Sequence, residues 1–452
     1  MKKNFTIVLL LISIFSYAQK NNTVWKSEID FDSGIKFSTY LKFEDKNNDF
    51  VITSPKNADV RMFGGFKARI GRLIGKSPKK GIIIKITGEQ RGDSLYGQTK
   101  IPVIGELKFN GIITDEILDA QLTQDNIIIG SLKGIKSSEN NNEYTHLLPK
   151  IIEITDNNIY SKKILQTKEW KKHHKKLQNL FNKAKDDIEL FLGFNMLSSS
   201  LSFSHYNLYV GSLDEENGTE NTENTENSQE TFSTIIFEEK NENTAYLKIK
   251  NFSSSQKELS EIFPKIIKTN YQNLIIDLRD NGGGGIDAAF EFAKHIVKED
   301  IEVGYFVTNK LDYSGFMPNL FKTLPELQPI STNEFGQFLR KEKGAKLIFK
   351  KPINESYAGK LYVLTNKKTG STCEPIAYVL KQKGLATLIG ENTAGAMLAA
   401  SPFEVSEKYI LSLPIADFYT FDGVRLEGIG VKPNIETESE DALKKVMEII
   451  NK

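Results

Sequence analysis

From Asn243 onward, short apolar runs of strand length alternate with stretches of helical periodicity. Residues 245–249 and 274–278 are compact apolar runs. Ile286, Ala289, Phe290, Ala293, Ile296 and Val297 then mark one face of a helix. Residues 360–365 form a further strand, 376–380 lie on a further helix, and 386–389 form another strand. Strands that alternate with helices indicate an α/β core, a sheet covered by the helices that connect its strands. Residues 310–358 interrupt this rhythm with glycine, proline and mixed polar residues, as an inserted lobe or lid would.

The upstream part follows a different period. Ile35, Phe37, Thr39, Leu41 and Phe43 alternate with Lys36, Ser38, Tyr40 and Lys42, the pattern of a half-buried strand. Further short strands are expected at 50–53, 81–87, 106–109 and 126–132, separated by turn-like stretches such as Asp45-Lys46-Asn47-Asn48. Residues 19–150 therefore read as an all-β module, a small barrel or a sandwich. Its role stays open between binding, positioning and structure. A helical connector is expected over 151–192, where Trp170, Leu177, Phe181, Ala184, Ile188 and Leu192 recur at helical spacing. Residues 213–231, rich in Asn, Thr and Glu, have almost nothing to bury and are expected to form a disordered loop.

The first eighteen residues read as an export signal. Lys2 and Lys3 precede an apolar run over 5–15, and Ser16-Tyr17-Ala18 offers a small-x-small cleavage site. The run is about half of what a bilayer-spanning helix needs, so the mature chain is expected to be periplasmic or extracellular, without membrane insertion. Its net charge of +1, or −1 once Lys2 and Lys3 leave, argues against a nucleic-acid partner. Cys373 stands alone, which excludes an internal disulfide and a cysteine-based zinc site. His173-His174 lies in a lysine-rich run and is expected to be solvated, so no metal or other cofactor is expected.

Two segments carry chemistry. Asp277-Leu278-Arg279-Asp280-Asn281 closes a strand and runs through Gly282, Gly283, Gly284 and Gly285 into a helix. Such glycines let backbone N–H groups approach a ligand, although neither a phosphate-loop ending nor a dinucleotide fingerprint is present. The second is Thr369-Gly370-Ser371-Thr372-Cys373-Glu374-Pro375, between a strand and a helix. Taken alone, Ser371 with Glu374 three residues later reads as a capping box, with Pro375 in the first turn. A serine there is also placed to attack a carbonyl, while the next backbone N–H, that of Thr372, points at the developing oxyanion.

These segments, followed by Ile389-Gly390-Glu391-Asn392-Thr393-Ala394-Gly395 and by the block from Glu427 to Ile435, occur in the order seen in C-terminal-processing (tail-specific) serine peptidases. The resemblance implies a crotonase-like ββα peptidase core over about 190–452, with Ser371 as nucleophile. Members with a Ser-Lys dyad place the base shortly after the Gly-Glu-x-Thr segment. Ala396 occupies that position here, and Lys367 and Lys368 precede the serine instead. The chain is closer to the tricorn-core branch, in which Ser204-His205 and Glu427 match the supporting residues. The resemblance then makes His205 the general base, Ser204 and Glu427 its support, and Gly282, Gly283, Gly284 and Thr372 the oxyanion hole. Many relatives carry a PDZ module before the first core strand, and the interval from His205 to Ala245 is too short for one. The expected function is an exported peptidase acting on polypeptides, the alternative a catalytically silent relative that binds a peptide or an apolar ligand. Oligomeric state is left open.

Overall fold

The computed structural model describes residues 23–31, 36–54, 84–101, 105–139, 143–211, 233–353 and 355–451. The signal expected at 1–18 and the loop expected at 213–231 lie outside the described residues.

Eight antiparallel strands form the upstream module: β1 Thr23–Phe31, β2 Lys36–Lys46, β3 Asp49–Thr53, β4 Lys85–Arg91, β5 Ser94–Ile101, β6 Gly105–Ile113, β7 Ile117–Gln124 and β8 Ile127–Ser137. β1 pairs with both β2 and β8, so the sheet closes into a barrel. Closure removes the edge strands that a sandwich would leave, which decides between the two architectures. The hairpins at Asn47-Asn48 and Asp125-Asn126 both use positive φ, the backbone that matches strand twist in a two-residue turn. Inside, Trp25, Leu41, Phe43, Phe50, Phe109 and Leu122 are buried, so side chains fill the barrel.

Three helices follow: α1 Leu147–Asn158, α2 Lys168–Lys183 and α3 Asp187–Ser198. The single apolar stripe in the sequence thus spans two helices, because the chain breaks at Ala184 and Asp186 caps α3 by accepting the Glu189 N–H. His173 corrects an expectation. It is buried on the inner face of α2, beside the rings of Trp170 and Tyr206, because the helical period places it with Trp170 and Leu177. The lysines around it face outward.

Asp186 and Asp187 also join the barrel to the rest of the molecule. Asp187 Oδ1 accepts the hydroxyls of Tyr144 (2.7 Å) and Tyr409 (2.6 Å). Its Oδ2 takes the Ser38 N–H of β2 and the Lys408 ammonium, each at 2.5 Å. Asp186 Oδ2 accepts the Thr39 hydroxyl of β2 at 2.7 Å.

The downstream part contains two sheets. The first has the order β10 Ile235–Asn241, β11 Thr244–Ile249, β12 Asn273–Asp277, β15 Lys360–Thr365, β16 Thr387–Gly390 and β19 Ile435–Glu436. From β11 onward its neighbours are parallel, linked through α4 Gln256–Thr269, α5 Ile286–Lys294 and α8 Cys373–Gln382. Every residue of β12 is buried, as expected of a strand covered on both faces. The second sheet joins β14 Gly344–Phe349, β13 Ile301–Thr308, β18 Tyr409–Thr420 and β17 Ala399–Ser406, with β9 Asn207–Val210 also on β18. Residues 310–358 supply β14 to this sheet, together with the short helix α6 Pro318–Phe321 and α7 Thr332–Lys341. α9 Ala442–Ile450 closes the chain over the first sheet.

Candidate active site

Ser371 sits in the turn between β15 and α8 at φ 52°, a left-handed backbone that costs a non-glycine residue about 1–3 kcal/mol. Such strain persists only where surrounding bonds impose it, and they do. The Ser371 N–H lies 3.1 Å from the Ala396 carbonyl and 3.1 Å from Glu374 Oε2. The capping-box reading holds only for the carboxylate half. Glu374 donates its own N–H to the Ser371 carbonyl at 2.8 Å, not to the side chain, and α8 begins after Thr372. Ser371 Oγ is therefore not spent on capping the helix.

Glu374 does more than its place in the motif suggested. Its fully buried carboxylate accepts the Thr393 hydroxyl (2.6 Å) and the N–H groups of Gly395 (2.7 Å) and Ala396 (2.8 Å) besides that of Ser371. Burial pushes its pKa up, and these donors pull it back toward the ionised form. The next two amides, Met397 (2.7 Å) and Leu398 (3.2 Å), donate to Glu427 Oε2. Two buried carboxylates thus hold four consecutive amides of the segment beside Ser371. No signal in the sequence identified this segment as a clamp, because it depends on carboxylates distant in the chain.

The glycine run packs directly on the serine. Gly283 has φ +102°, and a Cβ there would lie 2.5 Å from Ser371 Cβ and 2.9 Å from the Thr372 nitrogen, so no side chain fits. Its N–H donates to Asn281 Oδ1 at 2.9 Å, while Asn281 Nδ2 anchors the turn on the Ile249 carbonyl. The Gly283 amide is therefore committed elsewhere. Gly282, Gly284 and Thr372 line the cavity in front of Ser371, and the Thr372 hydroxyl donates to the Gly284 carbonyl at 2.7 Å.

His205 lies between α3 and β9, also with positive φ (65°). The residue after it, Tyr206, is anchored in a buried aromatic group with Trp170, Phe194 and Phe203, its hydroxyl 3.1 Å from Thr155 Oγ1. His205 itself lines the cavity that contains Ser371, a space of about 470 Å³. Ser204 Oγ lies 2.7 Å from His205 Nδ1 and donates to Glu427 Oε2 at 3.0 Å, while the Ser204 N–H donates to Glu427 Oε1 at 2.7 Å. This chain assigns the imidazole tautomer. An ionised carboxylate only accepts, so the single hydroxyl proton of Ser204 goes to Glu427 and its oxygen accepts from Nδ1–H. His205 Nε2 is left as a lone-pair acceptor. Burial pushes the imidazole pKa down to about 4, which keeps it neutral at physiological pH. No hydrogen bond joins His205 to Ser371, and both side chains line the cavity.

The lysines near the serine point elsewhere. Lys367 pairs with Glu391 (2.5 Å) and Lys368 with Asp280 (3.3 Å), and both side chains are exposed. His295 stacks on Phe263 and contacts Glu291, away from the cavity lining. Among the described residues, no group of three or more His, Cys, Asp or Glu is arranged to hold a metal ion.

Residues 243–437 match Peptidase family S41. The chain carries a peptidase family S41 domain. The S41 domain is similar to that of the carboxy-terminal processing protease CtpA of Bacillus subtilis, 26% identical over 212 residues, covering 47% of this chain and 38% of that protein. The tricorn protease of Thermoplasma acidophilum is 26% identical over 183 residues, covering 40% of this chain and 13% of that protein. The chain thus spans well under half the length of these curated relatives. Among solved structures, the crystal structure of the tricorn protease aligns with a TM-score of 0.43 at 12% identity, over 92% of this chain and 57% of that one. The photosystem II D1 C-terminal processing protease aligns with a TM-score of 0.41 at 14% identity, over 69% and 96%. The S41 match begins at β11 and ends just after β19, so it covers the first sheet apart from β10, together with the glycine run, Ser371 and Glu427. Ser204 and His205 lie outside it.

Proposed function

We propose that the chain is an exported serine peptidase that hydrolyses peptide bonds in polypeptides, with Ser371 as nucleophile and His205 as general base. One observation carries the reading: the Glu427–Ser204–His205 hydrogen-bond chain ends in the cavity that holds a strained serine whose hydroxyl is not used for capping. As a substrate carbonyl enters, His205 Nε2 takes the Ser371 proton and Oγ attacks the carbon. The imidazolium that forms faces Glu427 through Ser204, so the charge developing on the ring is compensated without a second proton transfer. The oxyanion lies against the Thr372 N–H and the amides of the glycine run at Gly282 and Gly284, a pre-set arrangement that needs no reorganisation. His205 then returns the proton to the leaving amine, and water repeats the sequence on the acyl-enzyme. Export rests on the leader-like residues 1–18. No helix among the described residues is long and apolar enough to cross a membrane.

A fluorophosphonate probe tests the assignment. The purified protein is expected to be labelled at Ser371, with no labelling in Ser371→Ala. His205→Ala is expected to lower peptide turnover by a factor on the order of a million, as loss of base or nucleophile does in a worked protease case. Lys367→Ala and Lys368→Ala are expected to leave turnover intact. A folded wild type that resists the probe would point to the peptide-binding alternative.

A further inference from the structure

We propose that Asp287 is a specificity-determining residue that draws a cationic substrate side chain, a lysine or arginine close to the scissile bond; the proposal rests on the peptidase reading above. The walls of the Ser371 cavity mix polar groups with an apolar stretch formed by Ile286, Phe306, Phe335, Met397 and Leu398. Among the described residues of that lining, Asp287 is the one carboxylate, and none is a lysine or arginine. The other carboxylates around the site are matched: Glu374 and Glu427 by backbone amides, Asp277 by Arg279, Asp280 by Lys368 and Asp417 by Arg425. Asp287 differs. Its Oδ1 accepts the Ala288 N–H at 2.9 Å and the Thr332 hydroxyl at 3.4 Å, and Oδ2 accepts no hydrogen bond from the described residues.

Its position relative to the serine follows from the glycine run. Gly283 abuts Ser371, and a Cβ on Gly285 would lie 2.1 Å from Asp287 Oδ1. Two residues of extended chain span at most about 7 Å, so the carboxylate and the nucleophile lie along one short stretch of the cavity wall. A lysine or arginine bound there would lay its alkyl stem along the apolar wall and bring its charged head to Oδ2. No lysine or arginine among the described lining residues would pair with a substrate carboxylate.

An acidic residue in the first turn of α5 also complements the helix dipole. That role affects folding but not the choice of substrate, so selectivity is the readout. Matched fluorogenic peptides carrying lysine or its uncharged isostere norleucine, placed in turn on either side of the cleaved bond, are compared by kcat/KM. The wild type is expected to favour lysine at one position by about ten- to a hundredfold, the worth of a charge-assisted hydrogen bond. Asp287→Asn is expected to erase that preference while leaving norleucine peptides within about twofold. Asp287→Glu is expected to keep it. Equal treatment of the two peptides by the wild type at every position would overturn the proposal, as would an equal fall for both in Asp287→Asn. Binding of the same pair to Ser371→Ala separates this proposal from the peptidase reading. If the wild type neither cleaves nor takes up the fluorophosphonate, that reading fails, and equal binding of both peptides to Ser371→Ala then overturns the Asp287 assignment independently.

Discussion

At the scale of single residues, the site depends on what each polar atom is already bonded to. The proposed base, His205, has its proton assigned to Nδ1 by Ser204 and Glu427, and burial keeps its ring neutral. The sign of the pH effect follows. A base whose pKa is depressed from 6.5 to about 4 stays competent in mild acid. The acid limb of kcat/KM is therefore expected to fall as pH drops through about 4, and a midpoint near 6.5 in the pH–rate profile would contradict the burial seen here. Glu374 is the residue whose importance the sequence understated. In Glu374→Gln, an amide group would face the N–H donors of Ser371, Gly395 and Ala396, displacing the serine and the segment beside it. Misplacement of this kind costs up to about a hundredfold in rate, so kcat is expected to fall with KM little changed in steady-state assays.

At the scale of elements, the start of α3 joins the two halves of the molecule. Asp187 connects β2 of the barrel with β18 of the second sheet, and β18 pairs with β9 just downstream of His205. Asp187→Asn would lose part of this buried charge-assisted network, at a cost of about 1.5–3 kcal/mol. The expected outcome is a lower Tm with faster hydrogen exchange in β2 than in β12, whose five residues are buried in the first sheet. Elements with local causes were legible in the sequence. The apolar runs at 245–249, 274–278, 360–365 and 386–389 match β11, β12, β15 and β16 within a residue or so. The break between α2 and α3 was not legible, because Ala184 and Ile188 continue the apolar stripe while Asp186 turns the chain to reach β2. Residues 310–358 looked like an interruption because β14 is short and pairs with a strand from before the interval.

At the scale of the whole molecule, a histidine that folding removes from water contributes to sensitivity to acid. His173 is buried with neither ring nitrogen hydrogen-bonded, and burial pushes its pKa down to about 4. The unfolded chain, at about 6.5, binds the proton more tightly, so this contribution is complete above 6.5 and is lost as pH falls toward 4. The full effect is about 3 kcal/mol. His173→Phe is expected to flatten the pH dependence of denaturant unfolding between pH 6.5 and 4, and an unchanged slope would show that His173 escapes burial. Residue order alone determined the α/β core, the all-β character of the upstream module and the serine in its strand-to-helix turn, because periodicity and turn chemistry are local. It left barrel or sandwich open, since closure depends on β1 meeting β8, more than a hundred residues away. Only the tertiary structure decided that Ser371 Oγ is free of its cap, that Glu374 and Glu427 clamp one segment between them, and that His205 shares a cavity with Ser371. Each of these depends on which atoms are already bonded across large sequence separations, a property of packing and hydrogen-bond geometry that no spacing of residues encodes.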